Sequence, residues 1–253
     1  MLGELYRPHG LALETAQAVL ETGNVWACNV SFGCTNACRY CYVPRFTRRR
    51  RDTCEVRLPK KSPVELVRHQ LEHQWRFHWT SKLGVFLSFL TDPFLPQLRS
   101  STEDLAVLLW KHHIRVATLS KVATVGAGAE IRHGMTVVSC ENKFRNEFEP
   151  NTPSPLTRIA ELKGLKENWD QYVWVSMEPF PPSAIYKQRI GDLLEELKFV
   201  DLIIFGVWNY DKRARTEEAR REYAENIQVL TDFCKSNNIR LHVKTDTLRF
   251  IRR

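Results

Sequence analysis

The chain has 253 residues, 43% of them hydrophobic, and a formal net charge of +8. That length suits one large domain, and the composition can fill a core without disulfide staples. No run of about 18 apolar residues occurs, and the opening MLGELYRPHG lacks the charged-then-apolar layout of a signal peptide; the expectation is a cytoplasmic protein with no membrane contact.

Periodicity gives alternating strands and helices. Residues 27–32 read as a first strand. Ser62-Pro63-Val64-Glu65 opens a helix to about residue 76, with Ser62 as cap, proline at the first helical position and Glu65 reaching back. GVFLSFL (84–90) reads as a strand buried on both faces. A helix over 103–113, capped by Ser101 or Thr102, leads to a strand at 114–120. A short helix near 123–132 precedes a strand at 135–140. Ser154-Pro155 starts a helix to about 168, followed by a strand at 172–177. A helix over 183–198, a strand at 200–206, a helix capped by Thr216 and a last strand at 239–244 complete the chain.

Strands alternating with helices imply right-handed βαβ units around a parallel sheet. The expected class is α/β: a partial (β/α) barrel of about six parallel strands. It forms a single domain over 1–253, decorated by an extension (1–25) and a basic loop (44–61). In such folds ligands sit at the C-terminal ends of strands.

Seven cysteines, odd in number and unevenly spaced, argue against a disulfide framework. Cys34, Cys38 and Cys41 stand apart as CxxxCxxC, three thiols within eight residues. Thiolates are the expected ligands of iron–sulfur clusters, and three of them leave one iron open to a small molecule. The alternative is a structural zinc site, which needs a fourth ligand. His69, His73 and His78 lie downstream, in a helical segment with no matching cysteine pair.

Tyr40 precedes the last cysteine, and CxxxCxΦC with Φ aromatic after a first strand resembles the radical S-adenosylmethionine (SAM) superfamily. The resemblance implies a [4Fe–4S] cluster on Cys34, Cys38 and Cys41, with SAM at the open iron and an external one-electron reductant. It also implies a 5′-deoxyadenosyl radical that abstracts hydrogen from substrate.

Tyr6-Arg7-Pro8, Gly10, Ala12-Leu13-Glu14 and Cys41-Tyr42-Val43-Pro44 are similar to the spore photoproduct lyase-like branch. So are Ser88-Phe89-Leu90-Thr91-Asp92 and the stretch from Glu149-Pro150 through Ser154-Pro155 to Arg158. By that likeness Tyr40, Ser88, Thr91, Asp92, Lys121 and Ser139 are the SAM-binding candidates, and Glu178-Pro179 ends a further strand. The lyase proper has a cysteine hydrogen donor just before the second-strand serine; here Leu87 stands there, which argues against thymine-dimer repair. Tyr40, Tyr42 and Cys140 are the candidates for radical relay or hydrogen donation, beside the plainer readings of packing tyrosines and a buried thiol.

Segment 44–61 holds eight Lys/Arg and two acids. Together with Arg249, Arg252, Arg253 and the aromatics Trp75, Phe77 and Trp79 it suggests a nucleic-acid substrate, although such a run also makes an ordinary solvated loop. The alternatives are a radical SAM enzyme acting on a peptide, protein or metabolite, and a non-catalytic metal-bearing nucleic-acid-binding module.

Overall fold

The computed structural model describes residues 2–46, 55–74, 77, 82–124 and 131–252. The strands follow one another in chain order, β1 to β8, in an eight-stranded sheet. The parallel α/β class is as expected, with β1 added to the seven strands read from the sequence. The chain forms two compact units, residues 1–37 with 41–134, and residues 38–40 with 135–253. No described helix is long and apolar enough to cross a membrane.

In the first unit, β1 (Leu5–Tyr6) pairs antiparallel with β2 (Asn24–Cys28), and β2, β3 (Leu83–Leu87) and β4 (Arg115–Ser120) run parallel. Alternation sends successive side chains to opposite faces. Trp26, Cys28, Leu83, Val85, Leu87 and Val116 pack with Val67 and Leu71 of α3 (Pro63–His73) and Leu105 and Leu109 of α4 (Arg99–Lys111). Val25, Ala27 and Phe86, which alternate with them, are buried as well, so this sheet is apolar on both faces. α1 (Gly10–Leu20) belongs to this packing, since Leu20 touches Gly84. The supposed extension is therefore structural: β1 and α1 are part of the core, and apolar α1 positions gave no clear periodic stripe to announce it.

Two helix starts differ from expectation. α4 begins at Arg99 after Leu98, and Thr102 lies inside it, fully buried with its hydroxyl donating to the Pro93 carbonyl at 2.6 Å. Ser62 does precede α3, but its side chain accepts no capping bond. α2 is one turn, Val43–Phe46. Residues 131 and 132, read as the end of a helix, open β5 (Ile131–Thr136); of the rest of that expected helix, residues 123 and 124 are not helical and 125–130 lie outside the described residues.

In the second unit, β6 (Val173–Phe180), β7 (Leu202–Val207) and β8 (Arg240–Val243) run parallel. Their outer-face residues Val173, Val175, Met177, Ile203 and Phe205 pack on α6 (Pro155–Trp169) and α8 (Glu217–Ser236). Ser154 and Thr216 cap these helices as expected, accepting from the amides of Thr157 and Ala219. α7 is only Ile190–Glu195, while α5 (Asn142–Phe148) and α9 (Thr245–Ile251) are elements the periodicity did not announce. At six or seven residues these helices are too short for a stripe to repeat.

Candidate functional site

The cysteine loop leaves β2, and its start is tied down within the first unit. Asn29, one residue past the strand, is buried. Its Oδ1 accepts from the Ser88 hydroxyl (3.1 Å) and from the amides of Phe89 (2.9 Å) and Leu90 (3.2 Å), while its Nδ2 donates to the Tyr6 hydroxyl at 2.8 Å. Gly33, just before Cys34, has φ of 86°, and a Cβ there would lie 2.0 Å from the Glu55 carbonyl oxygen. Only glycine meets both conditions. Arg57 exchanges two backbone hydrogen bonds with Phe32, so the far end of the basic segment lies back on the loop; residues 47–54 of that segment are outside the described residues.

Thr91 and Asp92 act on the same loop. The Thr91 hydroxyl donates to the Gly33 carbonyl at 2.6 Å. Asp92, 7% exposed, accepts from Asn36 Nδ2 (2.9 Å), Ser120 Oγ (2.6 Å), and the amides of Lys121 (2.7 Å) and Phe94 (3.1 Å). Four bonds fill the acceptor sites of one carboxylate. Asp92 thus links the residue between two cysteines to the end of β4, and Thr91 and Asp92 hold the loop in place. Lys121 joins this cluster through its amide, and Ser88 sits behind it on Asn29.

Cys34, Cys38 and Cys41 are half-buried and form no disulfide. Burial, reinforced by Asp92, pushes the Cys34 thiol up to about 12, against smaller opposing pulls from backbone amides and Lys121. Among the described residues no three His, Cys, Asp or Glu side chains form a group able to hold a metal ion. The fit to an iron–sulfur cluster therefore rests on the donor chemistry, three cysteine sulfurs outside any disulfide on one short loop with its backbone fixed from behind.

Tyr40 belongs to the second unit. Its hydroxyl donates to Glu149, and Glu149 in turn pairs with Arg158. Glu149 and Arg158 are each 1% exposed, and Arg158 also donates to the Thr136 carbonyl at 2.6 Å. The Arg39 amide donates to the Phe148 carbonyl at 2.9 Å. The Tyr40 ring packs edge-on against Trp208, beside Phe144 and Phe148. Burial raises the Tyr40 hydroxyl well above the ordinary tyrosine range, with Glu149 and Cys38 adding to the effect. The Glu149–Arg158 pair was legible only as a segment; the partnership itself spans a helix and a loop.

The remaining candidates lie apart. The Tyr42 hydroxyl donates to the Phe89 carbonyl in the first unit, and the residue is exposed. Ser139 is buried and accepts from the Glu141 amide at 3.1 Å. Cys140 packs half-buried on the second-unit core, where burial, with Glu196, Asp192 and Glu141, raises its thiol to about 11. The shift is upward, so less thiolate is present at any pH below that value. At pH 8 iodoacetamide should modify Cys140 on the order of a hundredfold more slowly than an exposed cysteine with a pKa of about 8.5. Peptide mass spectrometry over time reads this directly, and equal rates would show that the thiol is not held neutral. A neutral S–H is also the form in which a cysteine donates a hydrogen atom.

No family model matches the chain. A viral relative, the uncharacterized protein ORF301 of Acidianus two-tailed virus, is 24% identical over 231 residues, covering 83% of this chain and 75% of that protein. Among solved structures the chain is similar to a spore photoproduct lyase mutant with bound AdoMet and dinucleoside spore photoproduct (TM-score 0.63, 13% identity, 94% of this chain and 86% of that one). It is also similar to Streptococcus suis SuiB bound to S-adenosylmethionine (TM-score 0.54, 12% identity), of which it matches 54% of the length with 92% of its own. Both are radical SAM enzymes, and the chain shares their fold.

Proposed function

We propose that this chain is a radical SAM enzyme, with Cys34, Cys38 and Cys41 as the ligands of a [4Fe–4S] cluster. The observation that carries the reading is the loop past the end of β2 that brings three cysteines within eight residues, on a fold shared with AdoMet-binding structures. When bound, the cluster supplies the electron that splits SAM into methionine and a 5′-deoxyadenosyl radical, drawn from an external reductant. The chain's own residues do the positioning. Asn36, Thr91 and Asp92 fix the loop in the first unit, and Glu149 fixes Tyr40 in the second. Lys121 and Ser139 stand past strand ends, where a cofactor's polar groups would be met.

The substrate reading favoured here is nucleic acid, because the basic segment begins directly after the cluster loop and the solved spore photoproduct lyase holds a dinucleoside. SuiB, whose structure was also solved with a precursor peptide, keeps a peptide substrate as the second reading. Anaerobic reconstitution should give a brown protein with about four irons per chain; a colourless protein carrying one zinc would remove the enzymatic reading. Binding to a labelled oligonucleotide should fall steeply from low to high salt, with log affinity linear in log salt. No salt-dependent binding would turn the assignment toward peptide.

A further inference from the structure

The face of the second-unit sheet turned away from α6 and α8 carries a charged pair that the reading above does not use. Along β6, Val173, Val175 and Met177 join the helix-side core; along β7, Ile203 and Phe205 do so, and along β8, Leu241 and Val243. Alternation puts Ser176, Gly206 and His242 on the other face. Glu178 near the end of β6 and Lys244 just past β8 meet on that face, with Nζ and Oε2 3.8 Å apart. These two strands flank β7, so their backbones lie about 10 Å apart, and the side chains reach each other across it.

Gly206 on β7 makes this possible. A Cβ there would lie 2.7 Å from Glu178 Cγ and 2.9 Å from its Cδ, closer than atoms tolerate. The two partners differ in exposure: the Lys244 side chain is 2% exposed and that of Glu178 23%. An ammonium buried that deeply loses its hydration, and an apolar residue would fill the space at lower cost. What the lysine adds is a counter-charge beside the Glu178 carboxylate. That carboxylate opens at the C-terminal edge of parallel strands, where such folds bind ligands.

We infer that Glu178 is a ligand-contact residue that accepts hydrogen bonds from a nucleoside, from its sugar hydroxyls or base N–H groups, and that Lys244 is its positioning residue. An ionised carboxylate only accepts, and its charge is already offset by Lys244. The site therefore fits an uncharged donor group and disfavours phosphate. The inference rests on the reading above, in which the cofactor and the favoured substrate both contain nucleosides; two binding experiments tell the sources apart.

The reconstituted wild type and the variants Glu178→Gln, Lys244→Met and Gly206→Ala are titrated calorimetrically with S-adenosylmethionine and, separately, with a 12-nucleotide single-stranded DNA. Loss of hydrogen bonds to a charged acceptor predicts affinity about 10- to 100-fold weaker for Glu178→Gln. Lys244→Met weakens the same titration, and the double variant is no worse than Glu178→Gln alone, because both changes remove one carboxylate contact. Gly206→Ala reproduces the loss by displacing Glu178. Weakening with the cofactor assigns the nucleoside to SAM; weakening with DNA assigns it to the substrate. Unchanged affinity of folded Glu178→Gln in every titration where the wild type binds overturns the inference, as does a wild type that holds iron yet binds neither probe. A wild type without iron overturns the proposed function instead.

Discussion

In the Cys38→Ala protein, 5′-deoxyadenosine release under reducing conditions should fall below about one hundredth of the wild-type rate. Loss of a mere outer-shell partner of a metal ligand costs about 10–100-fold, and removing a ligand itself costs more. Iron after anaerobic reconstitution should drop well below the wild-type value of about four per chain, together with the absorption near roughly 400 nm. The same holds for Cys34→Ala and Cys41→Ala. The contrast is Cys234→Ala. Cys234 is buried in the second-unit core with its thiol raised to about 11 by burial, and its loss should cost about 1–2 kcal/mol of packing while iron and SAM cleavage persist. Cys54, outside the described residues, is a further control expected to keep both. Iron content and cleavage rate are measured on the same preparations, and full SAM cleavage by Cys38→Ala would remove Cys38 from the ligand set.

What could be read in the sequence was whatever is local. The trio at 34, 38 and 41 is a spacing, and the capped helices after Ser154 and Thr216 declare themselves within four residues. What could not be read depends on strand order. Asn29 and Asn36 gave no motif, yet one holds Ser88 and the other meets Asp92 from 56 residues away. Thr91 and Asp92 stand where the family likeness expects cofactor contacts; their side chains are committed to the loop backbone and to Asn36, Ser120 and Lys121. Glu178 and Lys244 lie far apart in the chain, and only a glycine on the strand between them lets them meet. β5 begins four residues before the strand expected at 135–140, since IRHGMT, with histidine and arginine in it, looks less strand-like than the VVSC that follows. His133 of that strand is nevertheless fully buried.

The other large effect should come from Glu149. With both partners 1% exposed, the Glu149–Arg158 pair has lost its hydration, and Glu149→Gln leaves a guanidinium buried with no charge to offset it. Breaking a buried pair in this way costs about 3–5 kcal/mol, which for a chain of this size lowers Tm by roughly 10 °C. Tyr40→Phe should cost only about 1 kcal/mol, since it removes one hydrogen bond and leaves the ion pair standing. The double variant Glu149→Leu with Arg158→Met should lie closer to wild type than either single change, because no charge is then stranded. Tyr40 would lose its acceptor in that variant, and Arg39 would keep its bond to the Phe148 carbonyl. Comparing cluster spectra of the double variant with those of Tyr40→Phe then separates the two tasks of Glu149, offsetting Arg158 and aiming Tyr40. Thermal unfolding of the unreconstituted proteins measures the first task alone, and a Tm for Glu149→Gln within about 2 °C of wild type would mean that the buried pair does not form.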